Sequence, residues 1–371
     1  MAFNIPAEVG MPVAEVDTPC LLVDMDALDR NIAALADFAR SHDVRLRPHA
    51  KSHKSPDIAA RQFDHGAVGL CCQTVSEAEA MVAGGARDVL VSNEVVAPRM
   101  IGRLAALALK ARVLVCVDDA SNVTVLEEAS AAAGSRIEVL VEIDVGAGRC
   151  GIAPGDPACE LAHRIADSSH LRFAGLQAYH GPAQHIQDHT ARGAAIDNAI
   201  ALTRDTVDRL AIHGLHCEIV AGAGTGSFDL EAASGLYNEL QCGSYIFMDA
   251  DYAGVRGVDG GALPFEHSLF LQTRVISKTR SGRAVCDAGL KSHSVDSGLP
   301  TVFDCDGVRY TGASDEHGQL DDPQDRLALG KTLRLVPGHC DPTVNMHDWL
   351  VAYRKDRVVA LWPIAARGMS L

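Results

Sequence analysis

The chain has 371 residues, 47% hydrophobic and 22% charged, with a formal net charge of −15. This length accommodates a barrel plus a smaller module, and the apolar fraction fills a large core without a disulfide or structural metal. The acidic balance argues against nucleic acid and anionic membranes as partners, which need clustered Lys and Arg, but a local site can still receive a small anion.

Eleven cysteines are scattered along the chain, only Cys71 and Cys72 are adjacent, and no CxxC pair appears. The N-terminus carries no charged stretch followed by an apolar core, and no apolar run approaches the roughly 18 residues of a membrane span. The expectation is a cytoplasmic protein with reduced thiols.

From about residue 20 to 262, short β-branched runs alternate with amphipathic helical stretches. Cys20–Val23 reads as a strand, followed by a helix started by Asp26 with Leu28, Ile32, Leu35 and Phe38 on one stripe. A run through Val44 and Leu46 to Ala50 precedes a helix with Ser55 as N-cap and Pro56 in its first turn. Ala67 to Cys72 is a strand, and Thr74 with Glu77 forms a capping box for the next helix. Further strands are expected at Val89–Val91, Val113–Val117, Ile137–Val145, Leu171–Tyr179, Ile219–Ala221 and Asn238–Gln241, with a helix over Ala195–Ile212.

Nine candidates are one more than an eight-stranded α/β barrel needs, and the first strand is the one to sit outside it. Residues 263–371 change texture. Phe270–Ser277, Ala284–Asp287, Thr301–Phe303, Thr332–Val336, Val351–Tyr353 and Val358–Trp362 are short strands of a mostly antiparallel β domain, on which residues 1–19 are expected to pack.

Active sites of such barrels lie beyond the C-terminal strand ends. Lys51 falls there, in Arg47-Pro48-His49-Ala50-Lys51-Ser52-His53-Lys54. Partly desolvated, it would have a lowered pKa and form a Schiff base with an aldehyde; the plain alternative is a surface lysine in a basic loop. After Val220 comes Ala221-Gly222-Ala223-Gly224-Thr225-Gly226-Ser227, and after Gln241 comes Cys242-Gly243-Ser244-Tyr245. Each alone is an ordinary tight turn, but two on the last strands of a barrel fit a phosphate cradle. A lysine facing a phosphate cradle points to pyridoxal phosphate.

Tyr179, His180 and His185 follow the Leu171 strand, and either histidine is a candidate general base. Arg149, after the Ile137 strand, is placed to hold a phenolate or carboxylate oxygen, unless it makes a surface salt bridge. In Pro337-Gly338-His339-Cys340-Asp341-Pro342, an extended backbone would put His339 and Asp341 on one side and Cys340 on the other. One imidazole and one carboxylate make an open N/O cation site suited to Mn²⁺ or Mg²⁺; a His–Asp hydrogen bond in a turn is the plain alternative. Asp315-Glu316-His317-Gly318 either lines that site or forms a turn.

Blocks along nearly the whole chain carry a resemblance: Arg47–Lys51, Cys71-Cys72-Gln73, Gly146–Gly151, Gln177–Gly181, Gly224–Ser227, Glu239–Tyr245, Met248–Tyr252, Asp287–Lys291 and Val336–Pro342. With these the chain resembles the D-threonine aldolases of the alanine-racemase-like, fold-type III group of pyridoxal-phosphate enzymes. The Ser294–Pro300 block is similar to the related D-3-hydroxyaspartate aldolases, which leaves the aldehyde side of the substrate open.

The resemblance implies a D-β-hydroxy-amino acid cleaved to glycine and an aldehyde, with Lys51 carrying the cofactor. It implies Gln73, Thr225, Gly243, Ser244 and Tyr252 around the phosphate with Gly224 and Gly226, Arg149 and Tyr179 along the ring, and His339 with Asp341 on a divalent metal. It also implies a homodimer. D-Serine dehydratases are similar but carry His-x-Cys at the metal position, where this chain has Asp341. A racemase would need a second base and no metal pair.

Overall fold

The computed structural model describes residues 5–370. Among the described residues, seventeen strands form two sheets. The first sheet contains β2 (Arg45–Leu46), β3 (Leu70–Cys72), β4 (Asp88–Glu94), β5 (Arg112–Val117), β6 (Ile137–Glu142), β7 (Leu171–Gln177), β8 (Ile219–Gly222) and β9 (Glu239–Leu240). All its pairings are parallel, in the order β2-β9-β8-β7-β6-β5-β4-β3.

The sheet closes on itself. Val68 N donates to Leu46 O at 2.8 Å, Cys71 N donates to Pro48 O at 2.9 Å, and His49 bridges Cys71 in parallel. Cys71, Leu90, Leu114, Cys116, Leu140, Ala174, Ile219 and Ala221 form a fully buried cluster of their own, as the filled interior of a small barrel requires. At the N-terminal strand ends lies a chain of ion pairs. Arg47, with no exposed surface, pairs with Glu239 at 2.7 Å and with Asp88, and Arg112 continues from Asp88 to Glu138.

Helix starts obey local chemistry. Asp24, rather than Asp26, caps Met25–Ser41, accepting from the backbone of Asp26 and Ala27. Ser55 is the N-cap of Pro56–Asp64, with Pro56 in its first turn but no side-chain cap bond. Thr74 accepts from Glu77 N in the cap of Val75–Ala83, but the Glu77 carboxylate reaches Gln73 N rather than the cap residue's own N–H. The long helix runs over His189–Ile212.

The second sheet has nine strands. It comprises β1 (Cys20–Asp24), β10 (Leu269–Arg280), β11 (Arg283–Cys286), β12 (Thr301–Val302), β13 (Arg309–Ala313), β14 (Gly318–Asp321), β15 (Thr332–Val336), β16 (Trp349–Arg354) and β17 (Arg357–Pro363). The strand at the head of the alternating pattern, β1, is hydrogen-bonded here, antiparallel to β10 and parallel to β16. β13 and β14 were not expected from the sequence; the Asp315–His317 stretch is the turn of their hairpin. Of the N-terminal segment, Gly10 and Val13 donate to Val358 O and Asp356 O; residues 1–4 lie outside the described residues.

Candidate active site

Beyond β2 the chain runs through Pro48 and His49 into a 3-10 turn, Ala50–Ser52, which carries Lys51 to the barrel mouth. A cavity of about 420 Å³ opens there. Lys51, Gln73, Arg149, Tyr179, His185, Gly224, Thr225, Gly243, Ser244 and Tyr252 all line it, drawn from loops that follow different strands. Lys54 turns the other way: it is buried and paired with Glu77 at 3.0 Å.

Lys51 does not have the lowered pKa that desolvation alone predicts. Its Nζ lies 3.0 Å from Asp341 Oδ2, and that charge outweighs burial and raises the lysine. Burial would likewise raise Asp341, but the charges of Lys51 and His339 hold it well below the carboxylate range. Asp341 Oδ2 nonetheless receives no aligned hydrogen bond among the described residues. His49, next to Lys51, is pushed well below its usual value by burial first and by the lysine's charge second, so its ring is neutral. Its Nδ1 faces Lys51 N at 3.4 Å and its Nε2 lies 3.2 Å from Ser92 Oγ.

The two small-residue turns are crowded from behind. A Cβ on Gly226 would lie 2.3 Å from Gln184 O, and one on Gly243 would lie 2.6 Å from Ser52 Oγ. Gly226 itself does not line the cavity; its N–H donates to Gln184 Oε1 at 3.1 Å. Thr225 Oγ1 is buried with no hydrogen-bond partner among the described residues. A buried hydroxyl without a partner costs roughly 1–3 kcal/mol unless a ligand satisfies it. On the cavity floor the amides of Gln177 and Gln241 bond each other at 2.8 Å.

Arg149 holds its guanidinium 5.7 Å over the Tyr179 ring and 3.6 Å from Glu142. Burial, then the neighbouring Glu94 charge, raises Glu142, and Arg149 opposes both. The two histidines separate. His185 lines the cavity, whereas His180 does not: its Nδ1 accepts from Ala183 N at 3.2 Å and its Nε2 packs against Gly146.

His339–Asp341 is not extended. His339 is the N-cap of a short helix, Cys340–Val344, with Asp341 and Pro342 in its first turn, where an acid and a proline are both favoured. The side chains still converge, with His339 Nε2 3.9 Å from Asp341 Oδ2. Asp249, fully buried, lies 2.8 Å from His339 Nδ1 and also accepts from Cys340 N at 2.9 Å. Burial lowers His339, but the Asp249 bond and the charges of Asp341 and Asp249 lift it to about 9.

Ligand atoms of Asp249, His339 and Cys340 also gather within 4.8 Å. That grouping is the poorer cation site, because burial pushes the Cys340 thiol well above its usual value and Asp249 is already engaged in three hydrogen bonds. Sequence reasoning gave no role to Asp249, Asp251, His49 or Ser92. The first two stand in the Met248–Tyr252 block, but their irregular backbone offers no periodicity from which to read direction.

The family described as "Alanine racemase, N-terminal domain" matches residues 23–251, and "Putative serine dehydratase domain" matches residues 268–353. A 3-hydroxy-D-aspartate aldolase of Paracoccus denitrificans (strain Pd 1222) is 48% identical, covering 99% of this chain and 96% of its own. A D-threonine aldolase of an Arthrobacter species is 46% identical over 100% of this chain and 98% of its own. The crystal structure of a D-threonine aldolase from Filomicrobium marinum superposes with a TM-score of 0.97 at 51% identity, covering 99% of this chain and 100% of that one.

Proposed function

Because the chain belongs to the family of D-threonine and 3-hydroxy-D-aspartate aldolases, within the alanine-racemase N-terminal domain family, we propose that it cleaves D-β-hydroxy-α-amino acids between Cα and Cβ to glycine and an aldehyde. Its cofactors are pyridoxal 5′-phosphate on Lys51 and a divalent cation, Mn²⁺ or Mg²⁺, at His339 and Asp341. The observation that carries this reading is the 3.0 Å approach of Asp341 to Lys51, which sets a cation ligand beside the cofactor lysine.

The residues fit both groups. Thr225 Oγ1 is an unsatisfied donor in a loop too tight for side chains at Gly224 and Gly226, which suits a phosphate. Asp249 fixes His339 by its Nδ1 and leaves Nε2 toward Asp341, the arrangement in which carboxylates orient metal-binding imidazoles. Bound pyridoxal phosphate supplies a sink for the electrons left at Cα. A divalent cation lowers the pKa of a hydroxyl it touches.

The chain's own groups do the rest. Gly224, Thr225, Gly243, Ser244 and Tyr252, backed by Gly226, hold the phosphate, with Gln73 at the same wall. Arg149 and Tyr179 flank the ring. His185, at the cavity wall with only its Nδ1 hydrogen-bonded among the described residues, takes the β-hydroxyl proton. A dehydratase would expel that hydroxyl instead; Asp341, in place of the cysteine of the His-x-Cys pair, favours cleavage.

The test is a parallel assay of D-threonine and D-3-hydroxyaspartate with amine and aldehyde products both quantified. Glycine with acetaldehyde or glyoxylate is expected, lost on chelation and restored by Mn²⁺. Ammonia as the main product would overturn the aldolase in favour of the dehydratase. Sedimentation equilibrium of the loaded enzyme tests the homodimer.

A further inference from the structure

His185 has a second contact that bears on its proton transfer. It ends the 3-10 turn Pro182–His185, and its Nδ1 lies 2.5 Å from Asp251 Oδ2. Asp251 stands two residues from Asp249, the partner of His339. The segment 249–252 is a strap between the two histidines. Ala250 N and Asp251 N donate to Pro337 O and Gly338 O at 3.0 and 3.2 Å, and Tyr252 N donates to Asp249 Oδ1 at 2.9 Å. The Tyr252 ring lies between the histidines, 5.6 Å from His185 and 6.4 Å from His339. Beyond it, Arg256 N donates to Gln187 O at 3.0 Å, tying the strap to the His185 loop.

Resting on the reading of His185 as the base, we infer that Asp251 is its positioning residue. A neutral imidazole has one N–H and one lone pair. With the carboxylate on Nδ1, the N–H is placed there and the lone pair is left on Nε2. The β-hydroxyl proton moves to Nε2, whose lone pair forms the new N–H bond, while the O–H bonding pair stays on oxygen. The imidazolium so formed faces the Asp251 charge. The strap's bonds to residues 337 and 338 set the pair against the segment that carries His339 and Asp341.

Steady-state kinetics of the enzyme loaded with pyridoxal phosphate and Mn²⁺, with D-threonine as substrate, test this. Asp251→Ala should lower kcat about tenfold to a hundredfold while KM moves by less than about threefold, with the visible absorbance of the lysine-bound cofactor unchanged. Asp251→Asn, which keeps an acceptor without the charge, should retain more turnover than Asp251→Ala. In the double variant His185→Gln/Asp251→Ala, the second change should cost nothing beyond the first, because each removes the same function.

Additive losses in the double variant, or loss of bound cofactor in Asp251→Ala, would show a structural role and overturn the inference. So would full turnover in Asp251→Ala beside a crippled His185→Gln. Full turnover in His185→Gln would remove the base assignment and the inference with it. Failure of the wild-type enzyme to form glycine would instead reject the proposed reaction.

Discussion

Behind the Gly-rich turn, Glu231 is buried with Oε1 accepting from Ser227 Oγ at 2.9 Å, while Oε2 has no partner among the described residues. Burial is the main cause that lifts its pKa from 4.5 to about 8. The folded state therefore holds this proton more tightly than the unfolded chain. Stability falls as pH rises from about 4.5 through about 8, as the linkage relation requires. Glu231→Gln keeps the acceptor for Ser227 and removes the titration, so its melting temperature should fall less across this window, as calorimetry at several pH values would show. At the cation site, Asp341→Ala should abolish Mn²⁺-dependent turnover; undiminished turnover would sink the metal role. The residue scale is also where the sequence was least legible. Lys51 could be placed at a strand end, but not its partner Asp341, which arrives from 290 positions along the chain and reverses the direction of the lysine's pKa shift.

Between residue and fold stand the connections. Gly226 is pressed against the Gln184 carbonyl, and a methyl group there must move backbone rather than a side-chain tip. Gly226→Ala should weaken cofactor binding about tenfold or more, equivalent to roughly 1.4 kcal/mol, in a titration with pyridoxal phosphate, with the barrel still folded. Strands β4 to β8 were legible because their largely apolar runs, β-branched in all but β7, are buried on both faces, a pattern that survives without long-range information. β13 and β14 were not, since Arg309-Tyr310-Thr311-Gly312-Ala313 and Gly318-Gln319-Leu320-Asp321 each carry a glycine and a single large hydrophobic side chain, which do not stand out from turn residues. The helix at Cys340–Val344 was misjudged as extended because the local Gly and Pro signals suit either a turn or a helix start.

At the scale of the whole molecule, the closed barrel keeps the Arg47–Arg112 chain of ion pairs and the candidate site at opposite ends. Arg47 at the N-terminal end has no exposed surface and meets Glu239 and Asp88, so removing it leaves buried Glu239 only the 3.7 Å approach of Arg45, while Asp88 keeps Arg112. Arg47→Met should cost about 3–5 kcal/mol, read as a lower urea midpoint, while substrate specificity stays unchanged. The alternation of strands and helices made the barrel legible, and the count of nine candidates for eight places put β1 outside it, but no local pattern announces which strands of the other sheet it joins.

That departure has a consequence for how the chain is made. Leu21 pairs with Leu350, so β1 finds its parallel neighbour only when the 329 positions from Leu21 to Leu350 have been made. Until then β1 is an apolar segment without that partner, and the loop to be closed is among the longest the chain can form. Every strand of the barrel is synthesised in the meantime and is free to pair. Capture of β1 between β10 and β16 therefore waits for β16, so a chain ending before Trp349 should leave that edge open to pairing between molecules.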